Sequence, residues 1–182
     1  MTTFIRTLMA STVLVGSLAI GWKTALADGH ATNAATADLF NLTGDVVGTA
    51  DLQETPHGVL VHIRVGDLPP GAKGVHFHAK AHCSADTGFK SSHGHHGEPE
   101  GAHGLLNPAG PGKGDLGNIY VGTDGIGEMQ VFKTGARLSG GDLPLLDADG
   151  TAIVVHAGPD DQISQPIGGA GARILCGIVT AG

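Results

Sequence analysis

Gly74-Val75-His76-Phe77-His78 places two histidines one residue apart within a run of strand-forming residues. Side chains alternate across a strand, so both imidazoles leave the backbone on the same face. A half-buried strand ordinarily carries Val or Ile there. Two imidazole nitrogens side by side suit copper or zinc, which both take neutral histidine as a ligand. Groups of the same chemistry follow at His95, His103, Asp115 and His156. The stretch 93–103 is biased to His and Gly, a composition that by itself suggests metal binding. A lone histidine on a strand is more often a core residue with its nitrogens satisfied. Several together point to a metal centre.

These side chains need a scaffold, and the scaffold reads as all-β. Short runs rich in β-branched residues occur at 46–52, 59–65, 75–78, 118–121, 128–132, 152–156 and 174–179, with strand signals beginning at Leu39. Pro56-His57-Gly58, Leu68-Pro69-Pro70-Gly71, Thr123-Asp124-Gly125 and Asp147-Ala148-Asp149-Gly150 are turn chemistry between them. No stretch carries a sustained helical period with caps. Short strands at regular spacing predict a β-sandwich or barrel. Two Gly-rich segments, 79–117 and 157–172, are too long for ordinary turns, and long ordered loops in a compact β domain usually carry function.

The N-terminus reads differently. Arg6, an apolar run over 8–20 and Ala25-Leu26-Ala27 have the layout of a signal peptide over 1–27. The alternative is a single-pass anchor, for which the run is short. Residues 28–38, rich in Ala, Thr and Asn, read as a flexible tail, and 39–182 as one domain. The formal net charge is −7, and loss of Arg6 and Lys23 with the leader makes the remainder more negative. Such a chain repels phosphate, which argues against nucleic acid as a partner. The only Trp, Trp22, falls in the leader, so the core must rest on Val, Ile, Leu and a few Phe. The two cysteines, Cys83 and Cys176, read as a disulfide in an exported protein. The competing reading is a pair of thiolate metal ligands.

From about Leu39 to the C-terminus, these motifs together with Gly169-Ala170-Gly171-Ala172-Arg173-Ile174-Leu175-Cys176 resemble the Cu/Zn superoxide dismutases, in particular the exported bacterial type. The resemblance implies a Greek-key β-barrel or sandwich of about eight antiparallel strands with two long functional loops. It implies copper held by His76, His78, His95 and His156, the seventeen-residue step from His78 to His95 matching the family spacing. His95 would bridge copper and zinc and shuttle a proton to the peroxide product. Arg173 would guide the anionic substrate, on a loop pinned by a Cys83–Cys176 bridge. Asp160 would orient His76 and His103 by hydrogen bonding. Leu175 departs from the small residue usual in the family at its position.

The implied zinc site is incomplete. His95, His103 and Asp115 match three of its ligands, but the third histidine, nine residues after His103, is replaced by Gly112. Three protein ligands are fewer than a closed structural zinc site uses. Where most relatives read Phe-Asn-Pro after the bridging histidine, this chain reads His96-Gly97-Glu98-Pro99. His93, His96, Glu98 and Glu100 are therefore candidate replacements. The other outcomes are a site completed by water or weakly filled, and a copper-only enzyme.

The implied activity is copper-dependent dismutation of superoxide to dioxygen and hydrogen peroxide by alternating one-electron steps, in the periplasm or outside the cell. Arg173, with Lys90 or Lys113, would offset the repulsion of superoxide by the acidic surface. Cleavage after Ala27 would leave no membrane segment. It would also expose Asp28-Gly29-His30, whose amine, amides and imidazole form a square-planar nest for Cu(II) or Ni(II). That nest and the His-rich loop support an alternative, an exported copper-binding or copper-buffering protein without catalysis. Homodimers and monomers both occur in the family. His57, His62 and His82 carry no assigned role.

Overall fold

The computed structural model describes residues 33–97 and 102–182. Eleven strands follow in order: β1 Ala34–Phe40, β2 Val46–Thr55, β3 Gly58–Val65, β4 Gly71–His78, β5 Asp115–Val121, β6 Gly127–Thr134, β7 Ala136–Arg137, β8 Leu143–Pro144, β9 Ala152–His156, β10 Arg173–Ile178 and β11 Thr180–Ala181. Eight of them form an antiparallel barrel in the order β10-β9-β4-β5-β6-β3-β2-β1, closed where Phe40 of β1 meets Cys176 of β10. β11 adds to β1, and β7 and β8 form a separate two-residue pair. Consecutive β3 and β4 are separated by β6 and β5, and β6 and β9 by β5 and β4. These two crossovers give the Greek-key pattern.

Alternation sorts the side chains. Val59, Val61, Ile63 and Val65 of β3 face the main core with Leu39, Leu52, Ile119, Val75, Phe77, Ile153 and Val155. β4 and β9 differ from the other strands because they are buried on both faces. Their outer face carries His76, His78, Ala152, Val154 and His156, and the long loops cover it. Phe89, Ala152, Val154 and Cys176 make a second, smaller core under the first loop, packed against Cys83. Cys83 and Cys176 are joined by a disulfide across 93 residues, with Cα atoms 5.7 Å apart.

Two boundaries differ from the sequence reading. Ala34–Asp38, assigned there to a flexible tail, belongs to β1 and pairs residue by residue with β2. Its inward positions include Ala35 and Ala37, both almost fully buried. Methyl groups fill the space beside the larger side chains of β2 and β3 but carry too little hydropathy to signal a strand. The first long loop ends at 114, because Asp115 opens β5. The leader, with Asp28, Gly29 and His30, lies outside the described residues, as do Glu98 and Glu100. Among the described residues no helix is long and apolar enough to cross a membrane.

Candidate metal centre

The site sits on the outer face of β4 and β9. Register places His76 opposite Val154 and His78 opposite Ala152, which brings both β4 imidazoles alongside His156 at the end of β9. His95 arrives from the first loop through an isolated antiparallel bridge to His78. His76, His78, His95 and His156 are all buried, and their ligand atoms lie within 4.8 Å of one another. A second group shares two of them: His76, His95, His103 and Asp115. The His76 and His95 rings lie 4.1 Å apart and the His95 and His103 rings 5.2 Å apart.

One nitrogen of each strand histidine is tied down. His76 Nε2 donates to Asp160 Oδ2 (2.7 Å), His78 Nδ1 to the His93 carbonyl (2.8 Å), and His156 Nδ1 to the Gly171 carbonyl (3.0 Å). The other three nitrogens, His76 Nδ1, His78 Nε2 and His156 Nε2, are buried without a hydrogen-bond partner. A buried polar atom without a partner costs about 1–3 kcal/mol, so three at one place call for a ligand. Burial pushes His76 down to about 3 against the hydrogen bond to Asp160, and His156 down to about 4 against the bond to Gly171. Burial, with the charge of Arg173, pushes His78 well below the usual imidazole range. Neutral imidazole is the form that binds a metal. The donor set therefore fits copper.

Asp160 ties the two groups together. Its Oδ2 faces His76 and its Oδ1 accepts from His103 Nε2 (3.1 Å). Burial raises its carboxyl, but hydrogen bonds from His76 and Gln162 hold it below the usual range. Asn118, which sequence reasoning did not single out, locks this loop to β5. Its Oδ1 accepts from the Asp160 N–H (2.8 Å) and its Nδ2 donates to the Asp160 carbonyl (2.9 Å). No local pattern marks it, because its partner lies 42 residues away. Gly168, at φ 60°, is also required: a Cβ there would run into the Asp160 carboxylate and His103.

On the second side, Asp115 Oδ1 lies 2.6 Å from His103 Nδ1 and 3.4 Å from His95 Nδ1. Asp115 Oδ2 accepts the backbone N–H of Gly104 (2.7 Å) and of Gly112 (3.0 Å). Gly112 thus touches the site through its backbone. His96 is buried, with Nε2 3.0 Å from the Pro144 carbonyl, and His93 offers its carbonyl to His78. Neither imidazole belongs to the two groups. His57, His62 and His82 also lie outside them.

Arg173 begins β10, in register with His156. Its Nη1 donates to the Phe89 carbonyl (2.8 Å) and Ser92 Oγ (2.9 Å), both on the loop that Cys83 tethers to β10. Burial lowers its pKa, but a guanidinium remains charged at any physiological pH. A cavity of about 500 Å³ is lined by Thr87, Gly88, Lys90, Ile167, Gly171 and Arg173, among others.

Residues 42–179 match the family described as copper/zinc superoxide dismutase (SODC). The chain belongs to this family. It is 44% identical over 148 residues to the Cu-Zn superoxide dismutase of Caulobacter vibrioides, covering 80% of this chain and 84% of that one. It is 44% identical over 147 residues to Cu-Zn superoxide dismutase 2 of Aquifex aeolicus, covering 80% and 85%. Among solved structures, a double mutant of a SOD-like protein from Bacillus subtilis superposes with TM-score 0.73 at 37% identity, over 79% of this chain and 95% of that one. The Cu/Zn superoxide dismutase of Brucella abortus superposes at 0.60 with 27% identity, over 81% and 99%. In this superoxide dismutase family fold, His76, His78 and His156 lie on the outer face of β4 and β9, and His95 and His103 come from the loop over them.

Proposed function

We propose that this protein dismutates superoxide to dioxygen and hydrogen peroxide at a copper held by His76 Nδ1, His78 Nε2, His156 Nε2 and His95. The observation that carries this is the set of three buried imidazole nitrogens without partners, each on a ring whose opposite nitrogen is fixed. Bound copper supplies the one-electron redox chemistry. The chain's own groups do the rest. Arg173, half-buried and oriented by Phe89 and Ser92, offers its remaining guanidinium donors to the anion. His95 Nε2, when not engaged by copper, would take up a proton and pass it to the product oxygen. Asp160 keeps His76 and His103 oriented so that no rotation is needed during turnover.

Zinc would be held by His95 Nδ1, His103 Nδ1 and Asp115 Oδ1, with Gly112 in place of the fourth protein ligand. We infer weaker occupancy than at copper, because three ligands are fewer than a closed zinc site uses. The disulfide, the bacterial relatives and the layout of residues 1–27 support export to the periplasm or the medium. Elemental analysis of protein exposed to both metals tests the assignment. About one copper with sub-stoichiometric zinc is expected. Absence of dismutation by the copper-loaded protein would overturn the catalytic reading. It would favour instead a non-catalytic copper-binding protein, a reading kept in view because a 37% identical relative is named superoxide dismutase-like.

A further inference from the structure

The inward positions of β6 run Gly127, Met129, Val131 and Lys133. A lysine thus ends a core-facing series, at the end of the barrel where the first long loop returns. Lys133 Nζ donates to the Gly112 carbonyl (2.9 Å) and to the Asp115 carbonyl (2.9 Å). These two carbonyls bracket the turn 112–115. The Asp115 N–H to Gly112 carbonyl bond (3.3 Å) closes the same turn, and the Gly112 N–H bonds the Asp115 carboxylate (3.0 Å). The backbone of Lys133 is itself fixed in the β3–β6 ladder opposite Val59.

Gly112 is the position at which a zinc-bound histidine is expected. A metal–histidine bond there would tie the turn down through a side chain. Here an ammonium ties it through two backbone carbonyls, from the barrel side. Hydrogen bonds from a charged donor are stronger than neutral ones, and a donor on a ladder-bound strand holds its position.

We propose that Lys133 is a positioning residue that holds the turn 112–115, and with it the Asp115 carboxylate facing His103, without help from zinc. Loop closure in this chain is then a property of the polypeptide, and zinc, when present, binds to a turn already in place. The inference rests on reading His95, His103 and Asp115 as the zinc-side ligands.

The test is amide hydrogen exchange at Gly104 and Gly112, whose N–H groups both bond Asp115 Oδ2. In metal-free wild type both amides should be protected, and adding zinc ion should slow them by less than about threefold. In metal-free Lys133→Met they should exchange at least about tenfold faster, as expected for loss of hydrogen bonds to a charged group. Amides of β3 away from residue 133 should be unchanged, and Lys133→Arg should retain part of the protection. The Kd for zinc should rise in Lys133→Met, because the turn must then be ordered on binding. If zinc slows Gly112 more than tenfold in wild type, the loop is held by metal and the proposal falls. That arm uses only wild type and stands even if Lys133→Met does not fold. Equal exchange in metal-free wild type and Lys133→Met would also overturn it. Failure of the catalytic reading would appear separately, as absent turnover in copper-loaded wild type with the exchange pattern unchanged.

Discussion

An imidazole can present one nitrogen to a metal in a fixed direction only if its other nitrogen has a partner. His76, His78 and His156 all meet this condition, each with a different acceptor: a carboxylate, a loop carbonyl before His95 and a loop carbonyl before Arg173. Asp160, in neither group itself, hydrogen-bonds a member of each, His76 and His103. Asp160→Asn should therefore weaken metal binding by about 10–100-fold, the usual cost of losing such a partner. Equilibrium dialysis against a competing chelator measures it, and unchanged affinity would remove Asp160 from the site. The proposed role of Arg173 is to guide the anionic substrate. Arg173→Ala should lower kcat/KM roughly tenfold or more while copper per chain stays constant, since local charge focuses a small anion by about 10–10³. Equal turnover in the two proteins would sink that role.

At the scale of elements, the site depends on two strands covered on both faces. β4 and β9 place Val75, Phe77, Ile153 and Val155 in the barrel and their histidines under the loops. The loops are held to the barrel by the disulfide, by Arg173 to Phe89 and Ser92, and by Asn118 to Asp160. Cys83→Ser should cost roughly 2–5 kcal/mol of stability, the usual range for a native bridge in a secreted domain. It should also reduce turnover, because the Phe89–Ser92 segment that orients Arg173 is then free to move. Denaturant unfolding with a parallel activity assay separates the two effects. Gly168→Ala would push a methyl group into the Asp160–His103 link and impose an unfavourable backbone conformation, so metal affinity should fall with it.

For the molecule as a whole, metal binding and folding are coupled through the buried nitrogens. Titrating copper into metal-free protein should raise the melting temperature, with roughly 2.7 kcal/mol of added stability at a hundredfold excess over Kd. A calorimetric scan that does not shift would discount the four-histidine group as a copper site. The net charge of −7 repels superoxide at a distance, so attraction must be local. Arg173 and Lys90 line the same cavity near the end of β9.

Strand alternation made His76 and His78 legible as one face before any coordinates, and the turn residues marked most of the barrel. Family spacing extended this to His95, His156 and Arg173. The first strand escaped notice because Ala35 and Ala37 fill inward positions with methyl groups. His96, a candidate zinc ligand on composition, places its Nε2 beside the Pro144 carbonyl, a contact across 48 residues that no local pattern encodes. Asn118 and Lys133 escaped for the same reason. Asn118, midway along β5, and Lys133, near the end of β6, each look like an ordinary polar strand residue until the loop it holds is folded over it.

The sequence by itself determined which residues could bind metal, which faces they share, and that Gly112 cannot be a side-chain ligand. Those properties follow from residue type and the two-residue period of a strand. Only the tertiary structure decided which nitrogens are pinned and which are left for a metal. It also decided that Asp160 joins both groups and that a barrel lysine holds the turn at Gly112. These depend on contacts between segments far apart in the chain, whose geometry exists only once the barrel has closed and the loops have packed against it.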